Sequence, residues 1–276
     1  MNEFEKLNFK AQIIASSTNG VNTITTFNLN YPRFIHAELL THRVFSKNSS
    51  SSRAIPVKIM LKSVWQNPAM PIHWGVNRPG MQATEELKGW RLRAAKLVWR
   101  LASKSAVVFS WLLNHIGLHK QVANRLTEPF QWMNVVLTGT EFSNFYDLRT
   151  HKDAQPEFRK LATMMLAAQN ADQPVYRPKG HGLHCWHLPY ITNEERSRFL
   201  LDTLLKISTA RCARVSYKLF DGTPSSFEKD SELFDKLVGS SPKHMSPAEH
   251  QAQAAAPNFG SANFRGWVQH RTFLGV

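Results

Sequence analysis

The chain contains little cysteine: only Cys185 and Cys212 occur among its 276 residues. Two cysteines cannot form a disulfide framework, and this usage is typical of a reducing cytoplasm, where we expect the protein to reside. Long apolar runs are also lacking. The most apolar stretch, residues 105–117, is shorter than the roughly 20 residues that span a bilayer. The polar first ten residues do not resemble a signal peptide, so we expect no membrane segment.

The sequence has no run of five or six like charges, although 34 Lys and Arg face 20 Asp and Glu. A net charge of +14 favours anionic partners such as nucleic acid, a membrane surface or phosphorylated ligands. Because the basic residues are spread along the chain, the pattern favours an enzyme with arginines around a nucleotide phosphate over a nucleic-acid-binding tail. The motif G-x-G-x-x-G is absent too, which excludes a dinucleotide held by a Rossmann turn.

Hydrophobic residues make up 42% of the chain, which suffices for a folded core. No Gly/Ser linker divides the sequence, so we predict one domain over residues 1–276. Asn19-Gly20 between two β-rich runs predicts a hairpin over residues 10–29. Helical spacing after Pro32 predicts a short helix within 31–46, followed by a serine-rich loop.

The remaining elements are predicted from apolar spacing and from helix-start signals. Proline, tryptophan and methionine make residues 56–81 an expected loop, and residues 172–192 are a second one. Helices are predicted over 83–126 with an interruption near Gly117, and over 130–148, 157–170, 193–212 and about 228–239.

Residues 41–53, THRVFSKNSSSSR, place arginines at both ends of a polar stretch. A core strand cannot hold so many polar groups unless each has a partner. We therefore predict a loop that binds an anion. The pattern H-R-x-x-S-x-N-x-x-S-x-R also resembles the signature of the flavin-dependent thymidylate synthases (ThyX), which is R-H-R, a short gap and S-x-N-E-x-S-x-R.

Four further segments resemble that family. They are NRLTEP (124–129), NFYDLRTHKDAQPEFR (144–159), ARVSY (213–217) and KHMSPAEH (243–250). In the family the last two segments precede the R-H-R motif, whereas here they follow it. The resemblance thus implies a circularly permuted relative of a bacteriophage type, with an α+β fold of a mixed sheet and long helices. Permutation preserves a site when the original termini lie close together.

The resemblance implies an FAD-dependent enzyme that methylates dUMP to dTMP with methylenetetrahydrofolate and NADPH. It also implies a homo-oligomer, a tetramer or dimer, with sites at subunit contacts. Two alternatives stay open: a flavin enzyme that modifies C5 of another pyrimidine deoxynucleotide, for example by hydroxymethylation, and a non-catalytic nucleotide- or nucleic-acid-binding relative.

Two groups of site residues follow from the resemblance. Guanidinium groups pair bidentately with phosphate and keep their charge. The residues that the resemblance assigns to substrate binding are Arg53, Ser51, Arg125, Arg149 and Glu38. Arg149 and Arg53 are also assigned to catalysis. FAD needs hydrogen-bond donors for its pyrophosphate and for its isoalloxazine edge. The residues that the resemblance assigns to FAD binding are His42, Arg43, Asn48, Asn144, Ser216, Ser246 and Glu249. Glu249 has a second interpretation as the carboxylate of a capping box begun by Ser246, and His42 as a structural histidine.

The chain departs from the family signature at three positions. Thr41 stands in place of the first arginine, Ser49 in place of the glutamate and Asp153 where a histidine is common. We hypothesise that Arg265 or Arg271 replaces the missing arginine. The missing glutamate leaves the substrate and the reaction open.

Three other patterns in the sequence suggest different functions. His181, His184, Cys185 and His187 are potential zinc ligands, but no second ligand pair is evident, so we interpret them as a polar loop. The sequence around Cys185 does not resemble that of a catalytic cysteine in the classical synthases. Residues 90–100 carry arginines and tryptophans that suit either nucleic acid or a helix with a buried tryptophan side, and we predict the helix.

Overall fold

The computed structural model describes residues 8–80, 83–216, 219 and 223–275. Its main sheet has five strands in the order β3-β4-β2-β1-β5. The strands are β1 (Lys10–Thr18), β2 (Thr23–Pro32), β3 (Ser46–Ser49), β4 (Trp132–Gly139) and β5 (Val175–Tyr176). All neighbours are antiparallel except β5, which runs parallel to β1. The predicted mixed sheet of an α+β fold is confirmed.

A smaller sheet follows later in the chain, with strands in the order β10-β7-β6 and a separate β8-β9 pair. The three-stranded sheet consists of β6 (Trp186–His187), β7 (Ala252–Ala254) and β10 (Trp267–Gln269), and the pair consists of β8 (Gly260–Ser261) and β9 (Phe264–Arg265). The helices are α1 (His36–Leu40), α2 (Val57–Gln66), α3 (Gly89–His115), α4 (Lys120–Ala123), α5 (Ser143–Arg149), α6 (Pro156–Asn170), α7 (Asn193–Arg198), α8 (Leu201–Arg214), α9 (Phe227–Gly239) and α10 (His270–Phe273). A 3-10 helix covers Asn124–Phe130.

Both faces of the main sheet are covered. One face packs Phe27, Leu29 and Leu137 against Phe145 of α5 and Phe158 of α6. The other face contributes Val136 to a smaller cluster with Tyr190, Cys212 and Val215 near the end of α8. Burial on both faces removes the simple alternation of a half-exposed strand, and this explains why residues 130–148 were wrongly predicted as helix throughout.

Two predicted loops are wrong in part. Residues 57–66 form α2, which begins after Pro56 and buries Met60, Leu61 and Val64. Pro68, Pro71 and Pro79 follow the helix end. Ser46–Ser49 form β3 at the edge of the sheet. A polar strand is stable there because its side chains find partners, as described below.

The hairpin prediction is confirmed, and the turn of the hairpin forms hydrogen bonds with residues 255–267. The Asn19 amide donates to the carbonyl oxygens of Ala255 (3.2 Å) and Gly266 (3.0 Å). Asn22 donates to Pro257 at 2.8 Å and accepts a bond from Trp267 through its carbonyl oxygen. The turn therefore holds the segment before α10 against the main sheet.

The predicted long helix is confirmed as α3 and ends just before Gly117. Its Trp99 is partly buried and donates to the carbonyl oxygen of Ala69 at 2.9 Å, whereas Trp90 is exposed. The expected buried tryptophan side thus holds for one residue and is wrong for the other. None of the helices in the described part of the chain combines the length and apolar character needed to cross a membrane.

Predicted helix starts are confirmed near both later segments. Thr192 and Glu195 form a capping box at the start of α7, and α9 covers the helix expected near residues 228–239. Arg211 on α8 pairs with Glu195 (2.6 Å) and with buried Asp230 (3.1 Å). These ion pairs connect α8 to α7 and to α9. Removing one partner of such a pair is destabilising, because it leaves a buried charge uncompensated.

Candidate functional site

β3 directs the residues of the serine-rich stretch to two sides of the sheet. Side chains alternate along a strand, so Ser46 and Asn48 share one face. Ser46 accepts a bond from Gln269 at 3.1 Å, and Asn48 donates to the carbonyl oxygen of Cys212 at 3.2 Å. Lys47 points the other way, and its Nζ donates to the carbonyl oxygen of His42 at 2.5 Å.

One polar group forms where α1 meets the end of α5. The Nε–H of Arg149 donates to Nε2 of His42 at 2.9 Å, and its Nη1 lies 3.4 Å from Oε2 of Glu38. The Arg149 guanidinium carbon lies 4.7 Å from the centre of the Phe158 ring, so an aromatic face supports the cation. The structure thus brings together three predicted site residues from two distant segments.

His42 is neutral at ordinary pH. Burial lowers the pKa of His42 to about 4, with Arg149 and Lys47 contributing in the same direction. Its ring packs edge-on to Phe145 with the ring centres 5.0 Å apart. Since Nε2 accepts the bond from Arg149, the proton of the neutral ring is assigned to Nδ1. His42 is thus a buried histidine whose Nε2 has a partner, as in its structural interpretation, and its assignment to FAD binding stays a prediction.

A pocket of about 400 Å³ lies near His42, between residues 43–45 and the segment 249–272. Its lining consists of Arg43, Phe45, Glu249, Ala262, Asn263, Gln269, Arg271 and Thr272. Arg43 and Glu249, separated by about 200 residues in the sequence, therefore contribute to one cavity. Phe45 connects the two sites because it also contacts the His42 and Phe145 rings.

Glu249 pairs with Arg271 across the pocket, with Oε1 and Nη1 2.5 Å apart. The capping-box interpretation is not supported, because Met245 occupies the cap position and no side chain caps this turn. Ser246 lies exposed at the start of the same 3-10 turn. Arg265 instead points away from the cavity and pairs with Glu141 on the surface at 2.9 Å.

The other predicted phosphate binders lie in a third region, on the loop after β3 and the 3-10 helix 124–130. Asn124 holds that loop by donating to the carbonyl oxygens of Ser52 (2.8 Å) and Ile55 (3.3 Å). Arg125 is exposed and lies 3.8 Å from Glu128. Ser51 accepts the backbone N–H of Arg53, whose side chain is exposed.

No hydrogen bond or ion pair within the described residues joins Arg53 or Arg125 to Arg149. Asn144 is exposed in the first turn of α5. Ser216 follows α8, after Val215 with its left-handed φ of 59°, and its N–H donates to the carbonyl oxygen of Arg211. Tyr217, the last residue of that motif, lies outside the described residues.

The departures from the signature have local roles. Thr41 is exposed and donates to the carbonyl oxygen of Glu38 at 2.7 Å. Ser49 is the last residue of β3, and Asp153 lies near His151 on the surface.

Sequence reasoning missed several residues of the site. The alternation of a strand would have placed Lys47 opposite Asn48, but the serine-rich stretch was interpreted as a loop. Asn263, Gln269 and Thr272 belong to no motif, and only the folded path of the chain brings them to Arg43.

The histidine-rich loop has a structural arrangement in the described chain. His187 is fully buried and bonded to Ser17 (2.9 Å) and Thr26 (2.8 Å). Cys185 is buried, and burial raises the pKa of its thiol, which does not favour a nucleophile. The described residues contain no group of three or more His, Cys, Asp or Glu side chains arranged to hold a metal.

Comparison with known proteins identifies the class. The sequence model of the thymidylate synthase complementing protein family matches residues 22–175, more than half of the chain. The chain therefore belongs to that family, and the match contains the serine-rich stretch and the Arg149 segment. The segments at 213–217 and 243–250 lie beyond it, so their permuted order stays a prediction.

One solved structure with a TM-score above 0.5 shares the fold. The UMP/dUMP methylase PolB from Streptomyces cacaoi, bound with 5-Br UMP, is 16% identical with a TM-score of 0.51, over 59% of this chain and 89% of that chain. The same protein bound with 5-Br dUMP is 20% identical with a TM-score of 0.45, over 54% of this chain and 67% of that chain. No curated protein sequence matches the chain.

Proposed function

We propose that this protein is a flavin-dependent enzyme that transfers a one-carbon group to C5 of a pyrimidine deoxynucleotide, with dUMP as substrate and dTMP as product. The observation that carries the proposal is the pocket shared by Arg43 and Glu249, next to the Arg149–His42 pair. Both sites use motif residues of the family to which the chain belongs.

The substrate class follows from family membership and from the chemistry of the arginines. A nucleoside monophosphate carries two acidic oxygens that suit a guanidinium fork. Arg149 has one such fork, fixed by His42 and Glu38 and supported by Phe158. The action of PolB on UMP and dUMP supports a pyrimidine ring as the group to be modified.

The residues present fit FAD. The pocket lining contains two guanidinium groups, Arg43 and Arg271, and the amides of Asn263 and Gln269, against one carboxylate, Glu249. This donor set has a net positive charge and suits a pyrophosphate. When bound, reduced flavin would supply a hydride, with NADPH as the reductant of the flavin and methylenetetrahydrofolate as the one-carbon donor.

The side chains of the protein contribute orientation and charge. Arg149 binds and orients the nucleotide, and neutral His42 keeps its guanidinium in place without adding a second cation. Phe45 lies between the two polar sites, lining the pocket and contacting the His42 and Phe145 rings. Neither cysteine acts as a nucleophile in this proposal, since Cys185 and Cys212 are both buried.

Two measurements test the proposal. Purified protein, as isolated or after incubation with FAD, should absorb near 450 nm, roughly the flavin band. Given FAD, NADPH and methylenetetrahydrofolate, it should release tritium from C5-labelled dUMP, and Arg149→Ala should abolish the release. A protein that binds no FAD under any loading condition would overturn the flavin assignment. Mass analysis of the product separates a methyl from a hydroxymethyl group.

A further inference from the structure

A long apolar strip lies exposed along α3. The residues of this apolar strip are Leu97, Val98, Leu101, Val108, Phe109, Leu112 and Ile116, and each is between 43% and 78% exposed. The opposite side of the helix packs on α2, α4 and the 3-10 helix 124–130, where Ser103, Val107 and Ser110 are buried. The helix therefore has one partner-covered side and one apolar side without a partner in the described chain.

The apolar strip has the spacing of a helix-pairing seam. Positions 94, 98, 101, 105, 108 and 112 follow one another at steps of four and three residues, the heptad pattern of paired helices. Ala94, Ala102 and Ser105 are small, so a second helix can approach closely along the middle of the strip. This arrangement is typical of a helix that packs against another helix.

The size of the strip also points to a protein partner. Side chains of this kind and exposure leave on the order of 700 Å² of apolar surface in water, above the ~300–600 Å² of the largest patch on a typical monomer. A standard interface takes about 800 Å² from each partner. One pairing of α3 with a similar surface would therefore form most of an ordinary interface.

The distribution of charge along α3 favours a second copy of the helix as the partner, in antiparallel orientation. Five cations lie in the first part of the helix, at Arg91, Arg93, Lys96, Arg100 and Lys104, and the helix has no acidic residue. Residues 105–114 carry no charge. A second copy of α3 placed antiparallel sets the basic part of each helix against the uncharged part of the other, whereas a parallel copy opposes like charges.

We propose that two copies of this chain associate through the apolar strips of α3, packed antiparallel with the two-fold axis near Ala102–Ser105. The interface is isologous, so Val98 of each copy lies beside the Val108–Leu112 region of the other. This proposal concerns a surface of the protein and does not depend on the reaction that it catalyses.

Cysteine cross-linking tests the direction of pairing. The native Cys185 and Cys212 are buried, so introduced cysteines dominate the reaction. In the antiparallel arrangement two Val98→Cys residues lie about 15–20 Å apart, too far for a disulfide. Val98→Cys alone and Leu112→Cys alone should therefore stay uncross-linked, while their mixture, or Val98→Cys mixed with Val108→Cys, should give a disulfide-linked dimer. Cross-linking of either single variant, or of no mixture, overturns the proposal.

Sedimentation tests the surface independently. The intact chain should sediment as a dimer or larger species, and Leu101→Glu with Val108→Glu should lower the association constant at least tenfold with the circular dichroism spectrum retained. Leu200→Glu is the matched control, because Leu200 is 82% exposed elsewhere. A monomeric wild-type chain that binds phosphatidylserine vesicles or DNA through α3 overturns the proposal, as does an unchanged association state in the folded double variant.

Discussion

The Nε–H of Arg149 points at Nε2 of His42 over 2.9 Å, although the two residues are 107 positions apart in the sequence. A histidine can accept this bond only while it is neutral, and burial lowers the pKa of His42 to about 4. The pair therefore keeps its geometry throughout the neutral pH range and presents the remaining Arg149 donors to an anion.

Arg149→Lys keeps the charge but loses the planar fork and the bond to His42. We expect the affinity for dUMP to fall about 10- to 100-fold, in line with the loss of a bidentate charged contact. Isothermal titration calorimetry measures the change. The matched control is Arg198→Lys, whose guanidinium lies on the exposed side of α7 beside Glu194. Equal affinities for wild type and Arg149→Lys would remove Arg149 from the substrate site.

His42 offers a finer test of the same contact. In His42→Gln the amide oxygen can still accept the Arg149 N–H, whereas in His42→Leu no acceptor remains. We expect Gln to retain most of the affinity for dUMP and Leu to lose about tenfold or more. If both variants bound equally, His42 would be a packing residue with no influence on Arg149.

Gly266 lies where the N-terminal turn meets the end of the chain. Its φ is +71°, and a Cβ there would lie 2.5 Å from Nδ2 of Asn22 and 2.7 Å from Nδ2 of Asn19. Those amides form the bonds that hold residues 255–266, so they cannot move away without losing them. We expect Gly266→Ala to lower the free energy of unfolding by about 1–3 kcal/mol.

Urea denaturation measures this effect, and Gly239→Ala is the control. Gly239 ends α9, has no positive φ and has open space around its Cα, so alanine there should be neutral or stabilise by about 0.5–1 kcal/mol. Equal midpoints for the two variants would contradict the assigned role of Gly266.

The sequence alone predicted the family, the hairpin and most helices, because these depend on local signals. Asn19-Gly20 marks a turn, and Thr192 with Glu195 marks a helix start. The prediction for residues 132–139 was wrong because a strand buried on both faces shows no alternation of apolar and polar residues. The strand β3 was not predicted because its polar side chains bond to Cys212 and Gln269, which are far away in the sequence.

The candidate site was predicted to a similar extent. The resemblance assigned Glu38, His42 and Arg149 to the site, and the structure brings these three together. Asn263 and Gln269 had no signal, since their position depends on how the turn at Asn19 holds the C-terminal segment. The assignments of Arg53 and Arg125 to the nucleotide stay predictions, as both are exposed and lie apart from Arg149.

His250 makes the stability of the fold depend on acid. It is fully buried, its Nδ1 contacts the Thr138 hydroxyl at 2.8 Å, and burial lowers its pKa to about 3. Below pH 6.5, the pKa of the side chain in the unfolded state, His250 is protonated in the unfolded chain but stays neutral in the folded chain. The contribution of neutral His250 is therefore present above pH 6.5 and is lost progressively as the pH falls towards 3.

We expect this single histidine to account for about 2 kcal/mol of the stability lost between pH 7 and pH 5. His250→Gln should weaken the pH dependence over that interval by this amount, whatever its effect on stability at pH 7. The slopes between pH 7 and pH 8 should nearly agree, because His250 is neutral in the folded chain and mostly neutral in the unfolded chain over that interval. Identical slopes below pH 6.5 would show that His250 charges freely in the folded protein.

Of the two arginines proposed to replace the one missing at position 41, the location of Arg271 fits the hypothesis better. It lines the pocket with Arg43, whereas Arg265 is engaged with Glu141 on the surface. Removing Arg271 also leaves Glu249 unpaired, so the pocket loses a cation and keeps an anion. We expect Arg271→Ala to weaken FAD binding about 10- to 100-fold and dUMP binding in its presence, while Arg265→Ala binds as wild type does.

Glu249→Gln changes the same pocket with the opposite sign. It removes the carboxylate and frees Arg271, so FAD should bind at least as tightly as in the wild type, with a steeper dependence on salt. Fluorescence quenching of FAD at two ionic strengths distinguishes the three variants. Loss of nucleotide affinity in Arg53→Ala together with full affinity in Arg271→Ala would contradict the replacement, because the missing arginine would then have no substitute in this pocket.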